Sequence, residues 1–62
     1  MAEYRVRLLD GDGRVVEERV IKAIRNYDAS EMAARLAKAA GVKCSHYEVW
    51  LRKRRILHQS VR

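Results

Sequence analysis

Residues 3–13, EYRVRLLDGDG, constrain the fold more than any other part of the chain. Tyr4, Val6 and Leu8 share one parity, and Arg5 and Arg7 the other. Period two with β-favouring residues predicts a half-buried strand over 3–9. Asp10-Gly11-Asp12-Gly13 then interrupts it. Asp-Gly is among the strongest short hairpin signals, because glycine accepts a positive φ at no steric cost. The chain must therefore double back, and residues 14–25, RVVEERVIKAIR, become the second strand. Its apolar residues change parity along the run, which a β-bulge near Glu17–Arg19 or a strong twist would produce. A helix competes for this segment, since Glu, Arg, Lys and Ala favour helices. The adjacent hairpin turn and the β-branched content decide for a strand.

The next segment changes period. Residues 26–41, NYDASEMAARLAKAAG, read as a helix, with Asp28 as N-cap, Glu31 completing a D-x-x-E box and Gly41 at the C-terminal cap. Tyr27 would staple onto Met32. One side gathers Ala29, Met32, Ala33, Leu36, Ala39 and Ala40, with Met32 and Leu36 as its main apolar anchors. Glu31 and Arg35 form a favourable i,i+4 pair on the other side. Residues 46–51, HYEVWL, alternate again, and RILHQSV resumes strand character after the cations. No Gly, Asn or Asp lies between 51 and 56, so a tight turn would force Arg or Lys into positive φ. A looser loop, or one long strand over 46–58, is expected instead.

The order is β-β-α-β-β. A right-handed crossover from the second strand to the third leaves room for the first between them. The expected fold is α+β in two layers: an antiparallel sheet of order 2-1-3-4 with one helix packed on one face. All 62 residues form one domain, 1–62. A chain this short buries only about 60% of its unfolded surface, which makes a monomer marginal.

The run from YRVRLLDGDGRVV through DASEMAARLAKAAG to HYEVWLRKRRILH resembles small, uncharacterised bacterial and phage proteins with a ββαββ layout, a terminal EVW strand and a charged hairpin. The resemblance implies that layout and no activity. It departs at the final turn, where that group often carries glycine or an acid and this chain has Arg52, Lys53 and Arg54.

Charge locates the candidate surface. The net charge is +6, yet residues 1–50 hold nine Lys or Arg against eight Asp or Glu. Residues 51–62 hold Arg52, Lys53, Arg54, Arg55 and Arg62 with no acid. A local field of this kind attracts polyanions where a dispersed one does not. The sheet face away from the helix is expected to present Arg5, Arg7, Glu48 and Trp50, with Glu17 and Arg19 from the second strand. A large aromatic on an otherwise polar face invites a partner subunit, a cation or a base.

Catalysis has no support in the sequence. Cys44-x-His46 with His58 matches no common zinc spacing. Asp10 and Asp12 lack the later ligands of a calcium loop. DGDG is too short and too acidic to cradle a phosphate. No cofactor and no enzymatic activity are expected. One cysteine excludes an intrachain disulfide and fits a reducing, cytoplasmic compartment. No apolar run is long enough to span a bilayer, and no secretory segment is evident.

Two function classes remain. The first is a small interaction domain that self-associates as a homodimer. The second is a nucleic-acid module, DNA or RNA, using Arg52, Lys53, Arg54 and Arg55 on phosphates and Trp50, Arg5 and Arg7 as a stacking platform.

Overall fold

A computed structural model describes residues 1–61. Four strands, β1 (Ala2–Leu9), β2 (Val15–Ala23), β3 (His46–Leu51) and β4 (Arg54–Ser60), form one antiparallel sheet of order β2-β1-β3-β4. The helix α1 (Asn26–Ala39) crosses from β2 to β3 and is followed by one 3-10 turn, Gly41–Lys43. The expected α+β layout and strand order hold. The helix covers one face of the sheet and the other is open.

The first hairpin turns as its sequence dictates. Asp10 Oδ1 accepts from the backbone N–H groups of Asp12 and Arg14, both at 2.9 Å. Gly13 takes φ +84°, the left-handed region that glycine tolerates. These bonds, led by the one from Arg14, hold the Asp10 carboxyl below its ordinary range. The parity change in β2 is a bulge one residue earlier than the expected span. Leu8 pairs with Glu17 and Leu9 with Val15, leaving Val16 as the extra residue.

That register corrects the open face. Glu18, Val20 and Lys22 lie there, opposite Arg7, Arg5 and Glu3. Glu17 and Arg19 fall on the helix side, at the uncovered edge, where they pair with each other.

The core lies between α1 and the covered face. Tyr4, Val6, Leu8, Tyr47 and Val49 meet Ala29, Ala33 and Ala37, with Ala23 and Cys44 at the margins. The three helix alanines are fully buried at i, i+4, i+8 spacing. Met32, expected as an anchor, is 39% exposed, and Leu36 is only half-buried. The contact ridge is the alanine row, whose short side chains let the helix axis approach the sheet. Larger neighbours are left at its flank.

The helix start also differs. Arg25 is the N-cap residue and makes no side-chain cap bond. Asp28 lies inside the first turn and accepts from Arg25 Nε at 3.2 Å. Tyr27 is 71% exposed, so no staple forms. The start is fixed from the sheet, because Tyr4, 3% exposed, donates its hydroxyl to Asn26 Oδ1 at 2.6 Å. Glu31 and Arg35 pair at 3.3 Å as expected.

The second hairpin does not loosen. Leu51 pairs with Arg54 across a two-residue turn, Arg52-Lys53, and Arg52 takes φ +58°. Packing of β3 and β4 overrides the local preference, at a cost of about 1–2 kcal/mol for a residue with a Cβ. A second bulge leaves Ile56 unpaired between Arg55 and Leu57. Residues 46–58 are thus two strands.

Candidate functional site

Three strands aim the open-face residues at one another. In β1, the parity that buries Tyr4, Val6 and Leu8 turns Arg5 and Arg7 outward. Trp50 lies opposite Arg5, and Glu48 opposite Arg7. On the far side, Glu48 faces His58 and Trp50 faces Arg55.

Glu48 is the hub of this face. It is 9% exposed, the one acid buried among the described residues. Its Oε1 accepts from Trp50 Nε1 at 3.1 Å. Its Oε2 accepts from Arg55 Nη1 at 3.2 Å and lies 2.9 Å from His58 Nδ1. An ionised carboxylate only accepts, so Nδ1 carries the hydrogen in this contact. Burial pushes the Glu48 carboxyl up, but the bonds from His58, Trp50 and Arg55 together outweigh it and hold the group below its ordinary range. The His46 and His58 rings lie 5.6 Å apart, tilted by 30°.

Trp50 is engaged on two counts. Its indole N–H goes to Glu48, and the Arg7 guanidinium sits 5.0 Å from its ring centroid. Arg7 Nε is in turn 3.3 Å from Glu18 Oε2, inside ion-pair range but off the hydrogen-bond direction. Arg5 Nε lies 3.4 Å from Glu18 Oε1. The need for a partner that Trp50 signalled in the sequence is met within the chain.

The four consecutive cations separate into two groups. Arg55 belongs to the Glu48 network. Arg52, Lys53 and Arg54 are exposed and, among the described residues, make no ion pair or side-chain hydrogen bond. An open cleft of about 790 Å3 lies beside them, lined by Met1–Arg5, Val20 and Leu51–Arg54. Its lining carries Arg5, Arg52, Lys53 and Arg54 against one acid, Glu3. So Arg5 and the turn cations share one end of the sheet, while Arg7, Trp50 and Arg55 close over Glu48.

Cys44 is buried, and its thiol donates to the His46 carbonyl oxygen at 3.2 Å. Among the described residues no group of three or more His, Cys, Asp or Glu is placed to hold a metal ion. No described helix is long and apolar enough to cross a membrane.

The sequence reading placed Glu48 on the open face but missed two features, its role as the hub and an exposed apolar strand edge. Glu48 was legible as the lone acid in HYEVWLRKRR, on the same parity as Trp50. The second is the outer edge of β2, where Val15, Val16 and Val20 are 50%, 46% and 58% exposed and Ile24, just beyond the strand, 72%. Comparison with known proteins finds no matching family model, no matching curated protein and no matching solved structure.

Proposed function

We propose that this chain is a small, non-enzymatic interaction domain that self-associates as a homodimer, and that the β2 edge is its contact surface. The observation that carries the reading is the contrast between the two sheet edges. β4 is guarded by Arg54, Arg55, His58 and Gln59, all exposed. Charge of this kind protects an edge from pairing. β2 is longer, nine residues, and exposes three valines. Unpaired backbone groups beside apolar side chains template a further strand. A small domain whose helix contributes mainly alanine to the core gains stability from a second copy. The buried free thiol of Cys44 fits a reducing, cytoplasmic setting. Kinship with small bacterial and phage ββαββ proteins is part of the same reading.

Sedimentation velocity across a concentration series tests this. A reversible dimer is expected, and Val16→Lys with Val20→Lys should yield a monomer that keeps its secondary structure. A wild-type monomer at every concentration would remove the proposal.

The basic end favours a second reading, nucleic-acid binding. Arg52, Lys53 and Arg54 make no ion pair among the described residues and lie beside a cationic cleft, and Arg52 occupies a backbone position that glycine would fill at lower cost. Under this reading the triple change of Arg52, Lys53 and Arg54 to serine abolishes retention on DNA or RNA. Wild-type retention should fall steeply with salt. Retention equal to wild type in the triple variant would discard it. Arg55 stays in place in this test, because its loss would also disturb Glu48.

A further inference from the structure

The edge of β2 is self-complementary in one register. Positions 16, 18, 20, 22 and 24 read Val, Glu, Val, Lys, Ile. Glu18, Val20 and Lys22 stand on the open face, and Val16 and Ile24 extend the row through the bulge at one end and past the strand at the other. Val16, Val20 and Ile24 are 46%, 58% and 72% exposed. Lys22 makes no ion pair within the chain among the described residues.

We infer that two copies pair antiparallel through β2 with the two-fold axis at Val20, joining their sheets into one of eight strands; this rests on self-association through that edge. An axis perpendicular to the sheet keeps each face on its own side, so only registers centred on a residue are allowed. Centring on Val20 sets Val20 against Val20 of the second copy. Glu18 then meets Lys22, and Val16 meets Ile24, each twice. On the helix side Arg19 meets Ile21 and Glu17 meets Ala23. No like charges face each other.

The neighbouring registers fail this test. Centring on Glu18 or on Arg19 places two like charges at the axis. Centring on Ile21 sets Val20 against Lys22 and Glu18 against Ile24, so the apolar row faces charges. Pairing β2 with β4 of another copy is heterologous and yields a ring or an open filament in place of a two-fold dimer.

Oxidative cross-linking together with sedimentation decides the matter. Directly opposed residues of an antiparallel pair have Cα atoms about 4.5–5.5 Å apart, within disulfide range. Val20→Cys should give a covalent dimer under mild oxidation, and Glu17→Cys should not. Cys44 is 1% exposed and does not compete. Lys22→Glu should raise the dimer dissociation constant roughly tenfold, since two attractive pairs become repulsive. A sedimenting dimer without the Val20→Cys link would overturn the register and leave self-association standing. A monomer, or growth beyond the dimer, would overturn both.

Discussion

The first hairpin, β1–β2, has a turn suited to its geometry and an edge left bare. The second, β3–β4, has a turn that resists its geometry and an edge guarded by charge. At DGDG a carboxylate satisfies two backbone N–H groups and a glycine takes the positive φ. At Arg52-Lys53 no glycine is present, no side chain among the described residues caps the turn, and an arginine takes φ +58°. The second hairpin therefore forms through contacts between its own strands and with the helix above it. Glu48 ties Trp50, Arg55 and His58 together across β3 and β4, and Val49 is fully buried beneath α1. Local chemistry sets one hairpin and tertiary packing imposes the other. The imposed one holds the turn cations.

The contrast can be broken first at its hub. Glu48→Gln keeps the volume but presents an amide to groups that all donate. A loss of about 2 kcal/mol is expected, read from urea midpoints at neutral pH. The same group sets an acid dependence. Its folded-state pKa lies below its unfolded value, so its contribution is present above the ordinary carboxylate range. That contribution fades as pH falls through the folded pKa. Wild type should therefore lose stability between neutral and acid pH more steeply than Glu48→Gln. Parallel pH curves would show that the network contributes nothing.

The first turn should be brittle in a different way. A Cβ at Gly13 meets no atom within 4 Å, so Gly13→Ala tests backbone conformation alone. A loss of about 1–2 kcal/mol is expected at φ +84°. An unchanged midpoint would mean that the turn relaxes to another conformation.

The opposite sign is expected at the second turn. Arg52→Gly relieves the left-handed strain and should gain about 0.5–1 kcal/mol, part of the relief being offset by the freer unfolded chain. If the turn cations bind nucleic acid, the same variant should lose retention while gaining stability. Loss of both properties would show that the Arg52 side chain supports the fold.

The smallest effect belongs to Asp10. Its carboxylate is exposed but bonded to the Asp12 and Arg14 N–H groups, and its pKa is lowered. Asp10→Ala should destabilise slightly at neutral pH, and the difference from wild type should close as pH falls through the folded pKa of Asp10. A gap that persists in acid would assign the loss to the turn backbone instead of the carboxylate.

How far each element could be read follows from how local its causes are. The alternation of Tyr4, Val6 and Leu8, the DGDG turn, the helix segment and HYEVWL are short-range patterns, and with the general preference for right-handed crossovers they lead to the observed strand order. The helix ends were less legible. Asp28 looks like a cap in isolation, but Tyr4 reaches Asn26 from another strand, and the N-cap falls three residues sooner, at Arg25. The buried face was misjudged for the same reason. Met32 and Leu36 are the larger residues, yet close approach to the sheet favours the Ala29, Ala33 and Ala37 ridge. A helical wheel ranks side chains by hydrophobicity and not by the distance between helix and sheet.

By itself the sequence determined the ββαββ order, the α+β class, the first turn and the position of the cationic end, because these follow from period, turn chemistry and local charge. Tertiary structure decided the rest. The bulge at Val16 chose Glu18, Val20 and Lys22 for the open face, since one extra residue inverts every later side chain. Cross-strand register gathered Arg7, Trp50, Arg55 and His58 around Glu48 and left Arg52, Lys53 and Arg54 without an ion pair among the described residues. Strand order left β2 at an edge, where its exposed valines face no strand of the same chain.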